Sequence, residues 1–255
     1  MLKQKEESTV PTLYLSPSTQ EWNPYVTGSG SEEYHMNRIA DAMEPYLMAN
    51  GIRFTRNSPE MTAGSSIRQA NSGDYDLYLA LHSNAAPEGR YGEERGIIAF
   101  YYPESTQGRR FAELVAQALR EIYPLPDKVT TRATTTLGEV RLSRAPAVLV
   151  EIGYHDNYAD ARWIETHTES IAQQLVRAVT EYFGLPFASP MEPAAGTVRV
   201  SYGTLNLRQR PDHSAPVLAN MPNGARVTVY GEWQGWYTVH YGNLIGYAAA
   251  AFIDI

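Results

Sequence analysis

From residue 12 to residue 183, short apolar runs rich in β-branched and aromatic residues alternate with stretches whose apolar positions recur at helical spacing. The runs at 12–15, 52–56, 75–81, 96–101 and 147–152 read as strands. Met36, Ile39, Ala40, Met43 and Leu47 mark one face of a helix. Phe111, Leu114, Val115, Ala118, Leu119 and Ile122 mark a second, and Ile171, Leu175, Val176, Val179 and Phe183 a third. Ser31 is placed to cap the first helix and Gly51 to end it, while Thr168 is placed to cap the last. Pro45 lies inside the first pattern, where its missing N–H predicts a kink. The alternation predicts an α/β fold, an open mixed sheet with helices on both faces.

The pattern breaks at residues 185–196 (LPFASPMEPAAG), where prolines and small residues predict a linker over 186–196 between a domain at 1–185 and another at 197–255. Beyond it, runs at 226–230, 236–240 and 244–247 are separated by Asn223-Gly224, Gln234-Gly235 and Gly242-Asn243. These are hairpin signals, so the second domain should be a small all-β barrel.

Charge and composition narrow the chemistry. The 255 residues carry a formal net charge of -7 and no cysteine, which excludes disulfides, thiolate metal sites and a cysteine nucleophile. Basic and acidic residues number 17 and 25 before Gly196 but 4 and 3 from there on, so the acidity belongs to the first domain. An acidic chain has no global attraction to phosphate backbones, which argues against a nucleic-acid partner. No apolar run approaches the roughly 20 residues of a membrane span. Residues 1–10 are polar and show no apolar middle of a signal peptide.

In open α/β sheets ligands gather beyond the carboxyl ends of the strands. There the sequence places Ser16 to Gln20 after the first strand, His82, Ser83 and Asn84 after the third, and Glu151 with Gly153, His155, Asp156 and Asn157 at the last. Glu33 opens the first helix, where a carboxylate also suits the helix dipole. A lone histidine such as His82 can be a hydrogen-bonded structural residue. A carboxylate ending an apolar strand, as Glu151 does, needs a metal, a partner charge or a perturbed pKa. Together they could hold Zn2+ while a further glutamate activates a bound water. His35, His167, His213 and His240 read as surface or packing residues.

These segments resemble the zinc-dependent N-acetylmuramoyl-L-alanine amidases of bacterial cell walls. Glu33-Tyr34-His35-Met36-Asn37 is similar to the family's glutamate-x-x-x-asparagine, Leu81-His82-Ser83-Asn84-Ala85 to its histidine-bearing strand end, and Pro146 to Tyr154 to the segment with its catalytic glutamate. The resemblance implies Glu33 and His82 as zinc ligands and Glu151 as the catalytic base. The family's Asp-Pro-Gly-His-Gly-Gly opening supplies a further histidine ligand, but here the segment reads Ser16-Pro17-Ser18-Thr19-Gln20. Gln20 or His155 could substitute, or metal binding could be lost. Arg141 and Asn84 are candidates for substrate contact. Residues Leu205 to Pro211, Gly235 to Val239 and Gly246-Tyr247 resemble bacterial SH3-like modules, with Trp233, Trp236, Tyr237 and Tyr241 as a possible groove. The implied activity is hydrolysis of the amide between N-acetylmuramic acid and L-alanine of peptidoglycan, at the cell wall, as in an autolysin or endolysin. The alternatives are a catalytically silent peptidoglycan-binding protein and a flavodoxin-like small-ligand domain, though the latter's glycine-rich phosphate loop is missing.

Overall fold

The structure, a computed structural model, describes residues 10–255. Its chain forms two units, one of Thr12–Glu44 and Phe54–Phe183, the other built around Pro45–Arg53 and Gly184–Ile255.

The first unit is organised by a six-stranded sheet of β1 (Thr12–Pro17), β2 (Arg53–Arg56), β3 (Leu77–Asn84), β4 (Ile97–Tyr101), β5 (Val129–Ala133) and β6 (Ala147–Tyr154), in the order β2-β1-β3-β6-β4-β5. β1, β3 and β6 run parallel; β4 runs against β6, and β5 follows β4. The helices are α1 (Glu32–Ala49), α2 (Ala63–Ser72), α3 (Thr106–Arg120), α4 (Gly138–Arg141), α5 (Tyr158–Thr166) and α6 (Thr168–Phe183).

The pleat sorts side chains by alternate positions. Tyr14, Tyr78, Ala80, Ala147 and Leu149 share one face, where Ala70 of α2 and Val140 of α4 join them in a buried cluster. Leu15, Leu79, Leu81, Val148 and Val150 point the other way and are equally buried, with α3 lying against β4, β5 and β6 and pairing with α6. Register then fixes the site. His82 pairs with Glu151 across β3 and β6, so both project from the Tyr78 face at the carboxyl edge of the sheet.

Two local expectations are corrected. Thr168 does not cap α6 but is its first residue, and its hydroxyl donates to Ile164 O. Pro45 lies inside α1, whose assignment runs on through it to Ala49. Residues 190–196 of the expected linker lie in a strand, Pro190–Val198, that pairs with residues 226–231. α2, rich in serine and glycine, has no strong apolar stripe; a Thr62–Ser65 capping box and the burial of Ile67 and Ala70 hold it.

The second unit is a seven-stranded antiparallel sheet. Its strands are β7 (Pro190–Val198), β8 (Thr204–Arg208), β9 (Val217–Pro222), β10 (Arg226–Trp233), β11 (Trp236–Tyr241), β12 (Leu244–Ala249) and β13 (Ile253–Asp254), ordered β13-β7-β10-β11-β12-β8-β9. Val198, Leu207, Met221, Val229 and Val239 form its core. The β10–β11 turn carries positive φ at both Gln234 and Gly235, as a two-residue hairpin demands. Within this unit Asn50 exchanges two hydrogen bonds with Ala188, and Tyr247 and Thr238 donate to Asn50 O and Ala49 O.

Behind the first unit's site, buried Asp160 joins three segments. It accepts from Arg95 Nε and Tyr123 OH, each at 2.8 Å, and from the backbone N–H of Gly96 and Tyr154, each at 3.1 Å. Asp160→Ala takes the acceptor from a partly exposed guanidinium and from these donors, and is expected to cost about 1–3 kcal/mol in a urea titration. A loss below about 1 kcal/mol would show that the segments hold without it.

Candidate active site

Four ionisable side chains converge at the carboxyl edge of β1, β3 and β6. His82 is the centre. Its Nδ1 lies 2.8 Å from Glu32 Oε1 and its Nε2 lies 2.9 Å from Glu139 Oε2. Glu32 comes from the first residue of α1 and is 1% exposed; Glu139 comes from α4 and is 5% exposed. Each carboxylate has further donors. Asn23 Nδ2 reaches Glu32 Oε2 at 2.8 Å, and Ser16 Oγ and Tyr78 OH reach Glu139 Oε1 at 2.7 and 2.6 Å.

The electrostatics follow from this geometry. Burial pushes the His82 imidazole down, but its bonds to Glu139 and Glu32 outweigh that and hold it well above its ordinary value. Burial raises Glu32 and Glu139, yet the bonds from His82 and their other donors hold both below the ordinary carboxylate range. In the metal-free protein these bonds favour the protonated form of His82 between the two carboxylates.

Glu151 differs. Its Oε2 is shut away from solvent and has no hydrogen-bond partner. Burial raises its pKa to about 7; Glu32 and Glu139 reinforce the shift, and His82 opposes it. An orphaned carboxylate poised near neutrality can take up and return a proton.

Residues 21–181 match the N-acetylmuramoyl-L-alanine amidase family, and residues 203–254 match the bacterial SH3 domain. The chain belongs to the N-acetylmuramoyl-L-alanine amidase family. It is 25% identical over 167 residues to the germination-specific N-acetylmuramoyl-L-alanine amidase of Bacillus subtilis, covering 57% of this chain and 68% of that one. It is 21% identical over 210 residues to the sporulation-specific enzyme of the same organism, covering 80% and 78%. Among solved structures, an N-acetylmuramoyl-L-alanine amidase of Nostoc punctiforme shares the fold with a TM-score of 0.61 at 16% identity, over 68% of this chain and 97% of that one. One from Clostridium difficile 630 gives 0.61 at 19% identity, over 69% and 98%.

Within the amidase unit the sequence-expected residues fare unequally. His82 and Glu151 meet as expected. Glu33 does not join them: its half-buried side chain has no bond to His82, and the adjacent Glu32 takes that place. Positions 32, 36, 39 and 43 share the buried face of α1, and 33 lies beside it. Gln20 is present, its Nε2 3.3 Å from His82 Nδ1 and its Oε1 held by Asn23. His155 is turned away, its Nδ1 2.9 Å from Ser83 O and its ring stacked over Tyr25. Asn84 Oδ1 accepts from Ala85 N, and its carbonyl accepts from His155 N. Asp156 holds the N–H groups of Ala86 and Gly92, and Asn157 caps α5.

Arg141 is exposed in a separate cleft of about 410 Å³, together with Arg144 and Ser143. Sequence reasoning missed Glu139, which stands in a four-residue helix with no periodicity to flag it. In the SH3 unit the Trp236 and His213 rings meet at 4.8 Å, tilted by 53°, whereas Tyr237 and Tyr241 pack against the core.

Proposed function

We propose that this chain hydrolyses the amide joining N-acetylmuramic acid to the L-alanine of the peptidoglycan stem peptide, at the cell wall, with zinc at His82. The observation that carries the reading is Glu151, a half-buried residue whose Oε2 is buried without a partner and whose pKa is pushed up to about 7, in register beside His82. In this reading residues 1–185 are catalytic and residues 197–255 are a wall-facing SH3-like module. No described helix is long and apolar enough to cross a membrane.

The donor set supports a metal. Glu139 accepts from Nε2, the carboxylate–histidine pairing that orients metal-ligating imidazoles and leaves the other nitrogen free to coordinate. Nδ1 faces a carboxylate oxygen at 2.8 Å, a contact that needs a cation or a proton between the two atoms. His82 and Glu32 would hold zinc, and Gln20 would add its amide oxygen after half a turn of the amide. Among the described residues no group of three or more His, Cys, Asp or Glu is placed to hold a metal ion by itself, and in this reading Gln20 completes the set. Zinc, when bound, polarises the scissile carbonyl and acidifies a water. Glu151 would take a proton from the attacking water and return it to the departing alanine nitrogen. Glu139 fixes the orientation of His82. Arg141 and Asn84 stand as candidate contacts for the substrate.

Digestion of purified walls tests this. The expected products are glycan strands free of peptide and stem peptides with a new L-alanine amino terminus, read by mass spectrometry. Glu151→Ala should retain zinc and lose release, and His82→Ala should lose both. Absence of release by the zinc-supplemented wild type, with walls still bound, would leave a silent wall-binding protein instead.

A further inference from the structure

Gln20 and Asn23 reach His82 and Glu32 from the loop of residues 18–31, between β1 and α1. A side chain carried on a loop is held to hydrogen-bond accuracy only where the loop itself is fixed. Two backbone bonds fold this one on itself: Glu32 N donates to Asn23 O at 2.9 Å and Tyr25 N to Gly30 O at 2.8 Å. A third, from Val26 N to His155 O at 3.0 Å, ties the tip to the rest of the unit at one point, about which it could still pivot.

The side chains of the tip meet Glu165, on α5. One carboxylate oxygen of Glu165 accepts the hydroxyls of Thr27 and Ser29, the latter at 2.6 Å, and the other takes Arg162 Nη1 at 2.7 Å. The Glu165 side chain is 8% exposed. Burial raises its pKa, but the bonds from Ser29, Thr27 and Arg162 outweigh that and hold it below the ordinary carboxylate range, so at neutral pH it is an acceptor only.

Ser29 has one hydroxyl proton, and Glu165 receives it. The Ser29 oxygen is then the acceptor for His35 Nε2 at 2.9 Å. His35 is buried and stacks on Tyr25 of the same loop at 4.1 Å, so loop, α1 and α5 are joined at this junction. The bonds of Glu165 go to Thr27, Ser29 and Arg162, none of them in the His82 cluster. Any influence it has on that cluster passes through the loop.

We propose that Glu165 is a positioning residue for the His82 site: it anchors the loop tip through Thr27 and Ser29, and thereby holds Asn23 against Glu32 and Gln20 against His82. Its consequence for zinc rests on the reading above; the anchoring itself is testable in the metal-free protein.

Hydrogen exchange of the full metal-free chain, followed by NMR, reads the loop directly. In Glu165→Ala the amides of Tyr25 and Glu32 should lose protection roughly tenfold or more, while those of Leu79 and Val150 in the sheet keep theirs. Thr27→Ala combined with Ser29→Ala removes the same bonds from the solvent side and should reproduce this pattern, and adding Glu165→Ala should change nothing further. Glu165→Gln keeps an acceptor for both hydroxyls and should restore most of the protection. Zinc titration against a chelator should show affinity lowered roughly tenfold in Glu165→Ala and close to wild type in Glu165→Gln. Equal loss of protection in loop and sheet would make Glu165 a general stabilising residue and overturn the proposal, as would unchanged exchange at Tyr25 and Glu32, or full zinc affinity in Glu165→Ala beside a zinc-binding wild type. A wild type that binds no zinc would overturn the zinc reading instead, and exchange alone would decide the anchoring.

Discussion

Glu151→Gln is expected to stabilise the metal-free protein at pH 8 while abolishing hydrolysis. A carboxylate whose folded pKa lies above its unfolded value binds more protons in the native state between the two, so stability falls as pH rises through that window. For Glu151 the window runs from 4.5 to about 7. Ionisation of this group therefore costs the folded protein up to about 3 kcal/mol above neutrality. Glutamine keeps the shape and removes the charge. The contribution of His82 has a related dependence: its raised pKa stabilises the fold at low pH and is lost as pH rises through the folded value, but it is common to both proteins and largely cancels in their difference. Urea titrations in EDTA at pH 5 and pH 8 measure the effect. The variant should gain most of its advantage at pH 8 and little at pH 5. Equal stabilities at both pH values would mean that the wild-type carboxylate is solvated or paired, and would remove its qualification as a base.

That trade of stability for a poised carboxylate explains which parts of the site were legible in the sequence. His82 and Glu151 end apolar strands, and strand pairing puts them side by side, so alternation alone was enough to suspect both. The strands of the sheet core were legible for the same reason, apart from β5, an edge strand in which only Val129 is buried. Glu32 and Glu33 stand together at a helix start. There the motif pointed to Glu33, whereas the buried face of α1, continued back from Met36, selects Glu32. Glu139 was not legible because a four-residue helix has too little length to show a period, and its role depends on Ser16 and Tyr78, more than 60 residues away along the chain. The SH3 unit was readable from its turn residues, which carry their own backbone chemistry; the strand formed by 190–198 was hidden by prolines that usually break pairing.

Two adjacent glutamates should separate sharply in zinc retention. Glu32→Ala removes one carboxylate from His82 and leaves Asn23 Nδ2 with Gln20 Oε1 alone as acceptor. Glu33→Ala removes a half-buried side chain that contacts neither. Metal analysis after dialysis should find zinc in the wild type and in Glu33→Ala but not in Glu32→Ala. The metal-free Glu32→Ala protein should also lose about 3–5 kcal/mol, because it exposes one side of a buried ion triad without a replacement. Glu139→Gln gives the intermediate case. It preserves an acceptor for His82 Nε2–H but weakens the pull on the ring, and should lower zinc affinity roughly 10–100-fold. The order wild type, Glu139→Gln, Glu32→Ala follows from placing Glu32 on the metal side of the imidazole and Glu139 behind it. If Glu139→Gln released zinc while Glu32→Ala kept it, the cation would sit at Nε2 and the roles of the two glutamates would be exchanged.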